Sequence, residues 1–140
     1  MEVILIRLFS LLAAATFLVA AAPAPMSDPN GLEGDWRNTK DTVHLRVSRC
    51  GPSYCGKVTW AGEQQRADAR KGSGKDLVGS TLLRDLRPSG SATWRGKIYV
   101  PDININVTAT VVQLSPIKLR VSGCSWLNVV CRTQHWHRIA

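Results

Sequence analysis

The residues with the clearest chemical potential are the four cysteines, Cys50, Cys55, Cys124 and Cys131. Gly, Pro and Ser lie between the first two, so the chain turns there and can bring the two sulfurs close together. If the chain is exported, as its N-terminus indicates below, disulfides are favoured over zinc, which needs reduced thiolates at closer spacing. Four cysteines allow three pairings, of which the local ones, Cys50–Cys55 and Cys124–Cys131, are favoured.

The histidines are His44, His135 and His137, and the last two stand two residues apart on a predicted strand. They would therefore share a face of that strand and could share a metal ion. A usable site needs a third ligand and supporting hydrogen bonds, and the sequence does not place His44 near them. Surface positions opposite Trp136 are the favoured interpretation. No metal site and no cofactor is predicted, and His135 and His137 stay weak candidates.

Carboxylates and nucleophiles do not form a recognisable catalytic pattern. The acidic residues are scattered at turns and strand ends, with no spacing that selects an acid–base pair. The loop serines lack the strand-to-helix elbow of a hydrolase. Cys55 would need a free thiol of low pKa to act as a nucleophile, and a disulfide is the favoured state. We therefore predict no catalytic residue and no enzymatic activity.

The aromatic residues provide the main candidates for ligand binding, since the chain has five tryptophans. Large rings usually fill the core of a small barrel, and core filling is the favoured role here. If the interior is incompletely filled, Trp60 and Trp94, with Tyr54 and Ile98, are the candidate wall of an apolar ligand cavity.

The charge pattern bears on partners. The formal net charge is +8 and the pI is near 9.9. The basic side chains of the predicted strands mostly fall on the solvent-facing alternation, for example Arg46, Lys57, Arg95 and Lys97. A basic exterior that only keeps the protein soluble is the favoured interpretation. The alternative is that these residues attract an anionic envelope component such as a lipid phosphate, an anionic glycan or an acidic protein. No nucleic-acid recognition motif accompanies them, so a nucleic-acid partner is not predicted.

The N-terminus has the composition of a secretory signal peptide. Arg7 precedes the apolar run Leu8 to Val19, and small residues continue to Ala22. The run is short for a transmembrane anchor and has no stop-transfer flank, so no anchor is predicted after cleavage. Residues 1–22 are predicted as the signal peptide, 23–30 as a flexible leader, and 31–140 as a single β-barrel domain.

Alternation of apolar and polar residues predicts about eight short strands. Tyr54, Gly56, Val58 and Trp60 are predicted to share one face of the third strand. Residues 64–76 are predicted as a solvated basic loop, and 77–86 are ambiguous between strand and helix. A sheet with few helices can bury one face of every strand and lose its edges by closing. The prediction is an all-β protein with an eight-stranded up-and-down barrel and little helix beyond the signal peptide, and a two-sheet sandwich is the alternative.

Six segments occur in the following order along the chain: Gly34-Asp35-Trp36, Tyr54-Cys55-Gly56-Lys57-Val58-Thr59-Trp60, Leu77-Val78-Gly79, Leu86-Arg87-Pro88, Trp94-Arg95-Gly96-Lys97-Ile98-Tyr99 and Arg132-Thr133-Gln134-His135-Trp136-His137-Arg138. Together they resemble the secreted bacterial proteins grouped as domain-of-unknown-function family 2147. The similarity runs from about Gly34 to Ile139, and implies a lipocalin-like barrel in the bacterial periplasm without implying an activity. Two stretches depart from the family pattern, namely Tyr99–Ile105 and the basic Gln64–Lys75.

Three hypotheses of function follow. The first is a non-enzymatic periplasmic barrel that binds a small apolar or amphipathic ligand in a cavity at one end. The second is an interaction or inhibitor module of the cell envelope, with a filled barrel and function in Pro23–Asn30 or Gln64–Lys75. The third is a metal protein or weak enzyme that uses His135 and His137. The oligomeric state is not predicted.

Overall fold

Eight antiparallel strands and one helix are formed by the described residues of the computed structural model, which are residues 20–21, 31–125 and 131–140. Each strand pairs with the next, and β8 pairs with β1, so the sheet is a closed barrel. The predicted all-β up-and-down barrel is confirmed, and the two-sheet alternative is wrong. The elements are β1 Gly34–Asn38, β2 Val43–Cys50, β3 Ser53–Ala61, α1 Glu63–Ser73, β4 Thr81–Gly90, β5 Thr93–Val100, β6 Ile105–Ser115, β7 Lys118–Cys124 and β8 Cys131–Arg138.

The predicted signal peptide, 1–22, lies outside the described residues except for Ala20 and Ala21, and the predicted leader, 23–30, and Trp126 lie outside them entirely. Within the described ranges, no helix has the length and apolar character needed to cross a membrane.

Period-two patterning explains the strands, because successive side chains point to opposite faces of a sheet. On β7, Leu119 and Val121 are buried inside the barrel, whereas Arg120 between them is exposed. On β6, Ala109 and Val111 are fully buried in the same way. The alternation read from the sequence therefore gives the correct faces for these two strands.

Both local disulfides are present, which confirms the favoured pairing. Cys50 is bonded to Cys55 across the β2–β3 turn. Cys124, the last residue of β7, is bonded to Cys131, the first residue of β8. Each bridge links neighbouring antiparallel strands. Two disulfides are typical of proteins that fold in an oxidising compartment.

A β-bulge on β3 reverses the predicted orientation of Trp60. Leu45 on β2 pairs with Val58, but the preceding His44 pairs with Trp60, so Thr59 is an extra residue in β3. One inserted residue transfers the following side chain to the other face of the sheet. Val58 is buried as predicted, whereas Trp60 lies on the outer face and is 47% exposed. The prediction that Trp60 shares a face with Tyr54, Gly56 and Val58 is therefore wrong.

A second bulge, on β4, resolves the ambiguity between strand and helix. Arg84 pairs with Lys97 and Arg87 with Arg95, so two residues of β4 stand opposite Gly96 of β5. The bulge buries both Leu83 and Leu86, whose spacing of three resembles that of a helix. Gly96 is required there, because a Cβ would lie 2.5 Å from the carbonyl oxygen of Arg84.

The predicted solvated loop is mostly the helix α1, so that prediction is wrong. Glu63 stands in its first turn, and Gly74 ends it in the left-handed conformation with a φ of 75°. Only Ala69 of the helix is buried, against Val58, Ala61 and Leu77. A helix with so little apolar surface has no hydrophobic periodicity, which is why its sequence looks like a loop.

The two ends of the barrel differ in how they are filled. We call the end with the 51–52, 91–92 and 116–117 turns the closed end, and the end with the 39–42, 62–80 and 101–104 connections the open end. The main hydrophobic cluster fills the barrel from the closed end, and its buried members are Leu32, Trp36, Leu45, Val47, Leu83, Leu86, Val111, Leu119, Val121 and Trp136. Tyr54, Trp94 and Ile98 are partly buried against it.

Candidate ligand cavity at the open end

The half of the barrel that the cluster leaves unfilled is a cavity of about 930 Å³ that opens at the open end. Its floor is the upper surface of the main cluster, formed by Leu45, Leu83, Val121 and Trp136. Aliphatic side chains continue upward from this floor, and the wall includes Val43, Leu77, Leu82, Ile98, Val100 and Val107. An enclosed apolar wall of this size suits a small molecule, because binding would remove apolar surface of both partners from water.

The entrance carries apolar residues that are exposed to solvent. Ile103, in the β5–β6 turn, is 60% exposed, and Ile105, at the start of β6, is 42% exposed. Both side chains contribute to the cavity lining. Apolar surface beside an open apolar cavity extends the surface that an apolar ligand could cover.

Helix α1 borders one side of the entrance. Gln65, Asp68 and Ala69 recur at helical spacing and line the cavity from the same face of the helix. The first residue before the helix is fastened to β1–β2, since the Gly62 amide donates to the carbonyl oxygen of Thr42 at 2.9 Å. Gly72 lets the other end of the helix approach the β5–β6 turn, because any Cβ there would collide with the Asp102 carbonyl oxygen.

An ion-pair cluster ties this helix to the segment that follows it. The Arg66 guanidinium donates to both carboxylate oxygens of Asp76, at 3.1 and 2.6 Å, and Arg70 lies 3.9 Å away. These hydrogen bonds from Arg66, with one from the Val78 amide, lower the pKa of Asp76 to about 2. The pKa of Arg66 is correspondingly raised by Asp76. Asp76 is therefore ionised at neutral pH and holds α1 in place beside the entrance.

Strand β8 also presents polar side chains to the cavity. Arg132 is paired with Gly123, Gln134 with Val121, and Trp136 with Leu119. Directly paired residues share a face, and Val121 and Leu119 are buried inside the barrel. Arg132 and Gln134 therefore point inward, and they are exposed because the space they face is open.

The β1–β2 turn adds a second cation next to β8. Lys40 lines the cavity entrance from this turn. Thr39 donates its hydroxyl proton to the carbonyl oxygen of His135 at 3.0 Å, which fixes the turn against β8. Among the described residues, neither Lys40 nor Arg132 has a carboxylate oxygen within 4.0 Å. The carboxylates in the lining, Asp68 and Asp102, belong to α1 and to the β5–β6 turn that α1 contacts.

The structure distributes the four predicted wall residues over three environments. Ile98 lines the cavity. Tyr54 and Trp94 lie at the closed end, where they pack against the main cluster below the cavity. Trp60 stands on the outer face, where its ring lies 4.8 Å from that of His44. Tyr54, Trp94 and Trp60 are therefore not part of the cavity wall, because two lie too low in the barrel and the third is reversed by the bulge.

The three histidines stand at outward-facing register positions, and His135 also borders the cavity at the edge of β8. His135 is paired with Arg120 and His137 with Lys118, both on the face opposite Trp136. His44 is instead near Asp41, with Nε2 2.6 Å from the carboxylate. Within the described residues, no three His, Cys, Asp or Glu side chains are grouped as metal ligands would be.

Of the predicted wall residues only Ile98 lines the cavity, and among the lining residues that sequence reasoning missed are Arg132 and Gln134. The sequence did contain a signal for these two residues. Side chains alternate along a strand, so residues 132, 134 and 136 share one face and residues 135 and 137 share the other. A strand face that mixes an arginine and a glutamine with a buried tryptophan indicates a partly hydrated interior. The two histidines considered as metal ligands stand on the other face of β8.

A closed eight-stranded barrel with a filled closed end and an apolar cavity at its open end is the architecture of a lipocalin-like protein. Among solved structures, protein HP1028 from Helicobacter pylori, described as belonging to the lipocalin family, is similar with a TM-score of 0.60 and 16% identity over 79% of this chain and 84% of that one. At that identity the likeness shows the fold alone. No curated protein matches the chain.

Residues 34–138 match the family model described as "uncharacterized protein conserved in bacteria" (DUF2147). The chain belongs to this family, which confirms the resemblance carried by the sequence motifs.

Proposed function

We propose that this protein is a non-enzymatic binding protein that holds a small apolar or amphipathic molecule in its barrel. The observation that carries the proposal is the cavity of about 930 Å³ with aliphatic walls and an open entrance. Binding sites for small molecules are typically concave and mostly apolar, with a few polar groups that orient the ligand. Lipocalin-like architecture supports the same role without identifying the ligand.

The alternative of an interaction module depended on a filled barrel. Below the level of Leu45, Val121 and Trp136 the interior is indeed filled, but above it the cavity takes the remaining space. The side chains that line an empty interior have no packing contacts on that side, and a bound ligand would provide such contacts. The cavity therefore favours ligand binding over an interaction module.

We also propose that the protein acts after export, in the bacterial periplasm. The signal-like N-terminal sequence and the two disulfides support this location. In that compartment a barrel with an apolar cavity could carry a molecule that water dissolves poorly.

The test is a fluorescence titration of the mature protein with N-phenyl-1-naphthylamine, a neutral apolar probe. We expect the wild type to bind the probe saturably, with enhanced emission. We expect weaker binding in Val107→Phe, because the phenylalanine ring is bulkier than the valine side chain and would occupy part of the cavity. Val112→Phe is the matched control on the same strand, since Val112 is paired with Arg120 on the outer face and lies outside the cavity lining. Thermal melts should show that both variants fold.

Absence of saturable probe binding by the wild type would overturn the proposal. Equal loss in the two phenylalanine variants would also contradict it, because only Val107 faces the cavity. If the proposal is correct, native mass spectrometry of the protein purified from its own host's periplasm should show a bound mass that is lost on denaturation. That mass would identify the ligand class.

A further inference from the structure

We infer that the ligand is an amphiphile with an anionic head group, which Arg132 and Lys40 hold at the entrance while the apolar tail reaches down to Trp136. The inference rests on the proposed function and adds the charge and the orientation of the bound molecule. Its evidence is the placement, beside the aliphatic cavity wall, of two cations that have no carboxylate within 4.0 Å among the described residues. The carboxylates of the lining, Asp68 and Asp102, belong to α1 and the β5–β6 turn.

The orientation follows from the inner face of β8. This face descends from Arg132 at the entrance, through Gln134, to the buried Trp136 of the floor. Four residue steps at about 3.3 Å each separate Arg132 from Trp136, a depth of roughly 13 Å. A single chain lying along β8 would thus meet a charged group at the entrance, an amide donor halfway and an aromatic ring at the bottom.

The direct neighbour of Arg132 on β7 is Gly123, so no β7 side chain stands beside the arginine on the inner face. The space over Gly123 is taken by aliphatic side chains instead, because a Cβ there would lie 3.1 Å from Val107 and 3.3 Å from Ile98. Arg132 therefore stands at the edge of the apolar cavity wall that Val107 and Ile98 form.

The charge of the ligand follows from the surroundings of Arg132 and Lys40, which have no carboxylate partner among the described residues. In the described part of the chain, some arginines are matched to carboxylates, for example Arg46 with Asp35 and Arg66 with Asp76, whereas outer-face arginines such as Arg95 and Arg120 have none within 4.0 Å. Arg132 differs from these in lining a cavity. Arg132 and Lys40 have no carboxylate within 4.0 Å among these residues, although they adjoin an apolar cavity.

A ligand that covers these cations removes water from them, which is unfavourable unless the ligand brings a compensating charge. A carboxylate or phosphate does so, and the planar guanidinium can donate two parallel hydrogen bonds to either. A neutral head group would leave the positive charge less well solvated. A cationic head group would be repelled.

The test compares ligands with one tail and different head groups. Dodecanoate, dodecyl phosphate, dodecan-1-ol and protonated dodecylamine are each used to displace N-phenyl-1-naphthylamine from the mature protein. We expect the two anions to bind more tightly than the alcohol, and the amine to bind most weakly. The stronger of the two anions indicates whether a carboxylate or a phosphate is preferred.

Variants then locate the head group. Arg132→Gln is expected to weaken dodecanoate binding by about tenfold or more, which is the usual worth of a charge-assisted hydrogen bond. Lys40→Gln should weaken it less, and neither variant should change the affinity for dodecan-1-ol. Arg95→Gln is the matched control, because it removes the same charge from the exposed outer face of β5.

Each failure has a distinct meaning. If dodecanoate and dodecan-1-ol bind equally well, or if Arg95→Gln weakens dodecanoate as much as Arg132→Gln, the head-group assignment is wrong while the cavity proposal stands. If the probe itself does not bind to the wild type, the proposed function fails as well.

Discussion

Two arginines of β8, Arg138 and Arg132, show how differently the two ends of this barrel are built. Both lie on the inner face of the strand, Arg138 at the closed end and Arg132 at the open end. Arg138 donates hydrogen bonds to the carbonyl oxygens of Pro116, Glu33 and Gly31, at 2.8, 2.6 and 2.6 Å. Its guanidinium also lies 4.2 Å from the ring of Trp36.

Arg132 has none of these interactions among the described residues, and it faces open space. Burial lowers the pKa of Arg138, but three carbonyl groups and an aromatic ring compensate its charge. The same residue type therefore stabilises the fold at one end and is available to a ligand at the other. Arg138 is held by hydrogen bonds within the closed end, whereas Arg132 is exposed at the entrance of the cavity.

The largest effect that would test this contrast comes from two tryptophans. Trp36 is fully buried at the closed end, and its indole nitrogen donates to the Leu32 carbonyl oxygen at 3.0 Å. Trp36→Ala should lower the free energy of unfolding by about 3–5 kcal/mol, because it opens a cavity and removes a buried hydrogen bond. Trp60→Ala, on the outer face, should lower it by about 1 kcal/mol or less.

Urea denaturation of both tryptophan variants checks the comparison. Similar losses would contradict the assignment of Trp60 to the outer face, and with it the β3 bulge at Thr59.

A smaller effect is expected from the two arginines themselves. Arg138→Gln should lower the free energy of unfolding by about 2–3 kcal/mol, since it leaves carbonyl oxygens at the closed end without a donor. Arg132→Gln should leave stability nearly unchanged while it weakens binding of an anionic amphiphile. Thermal melts and denaturant titrations of the two variants measure the difference. A large stability loss in Arg132→Gln would show that this side chain is structural, and would count against its role as a ligand group.

The smallest effect concerns the ion pair that holds α1 at the entrance. The pKa of Asp76 is about 2 in the folded protein, below its ordinary value of 3.8. Its contribution to stability is therefore complete above about pH 4 and is lost as the pH falls toward 2. Asp76→Asn should remove this part of the acid sensitivity, and Arg66→Gln should do the same by removing the partner.

Denaturation of the wild type and both variants at a series of pH values between 6 and 2 measures this contribution. An acid dependence unchanged in Asp76→Asn would show that the ion pair does not couple α1 to folding.

Local patterning was sufficient to predict the barrel and its bridges. Alternation along β6 and β7 assigns the correct faces, and the turn between Cys50 and Cys55 places those sulfurs within bonding distance. These features depend on residues close together in the chain. The sequence motifs from Gly34 to Arg138 were also sufficient to identify the family.

Register and packing could not be predicted in the same way. The β3 bulge depends on how β2 and β3 align, and it reverses Trp60 without any mark in the residues around Thr59. The β4 bulge gives Leu83 and Leu86 a helix-like spacing within a strand. Helix α1 buries only Ala69, so its position depends on the loop and strands beside it rather than on its own pattern.

The sequence by itself thus determined the strands, the local disulfides and most of the alternation of faces, because each arises from side chains that are neighbours along the strand or across one turn. The pairing of β8 with β1 that closes the barrel joins the two ends of the chain, and the sequence left a two-sheet sandwich as the alternative. Only the tertiary structure decided how far the core rises inside the barrel, and therefore that a cavity remains above Trp136 with Arg132 at its entrance. The reason is physical: the size of an interior depends on the summed volumes and the registers of all the strands that enclose it. No single segment contains that information.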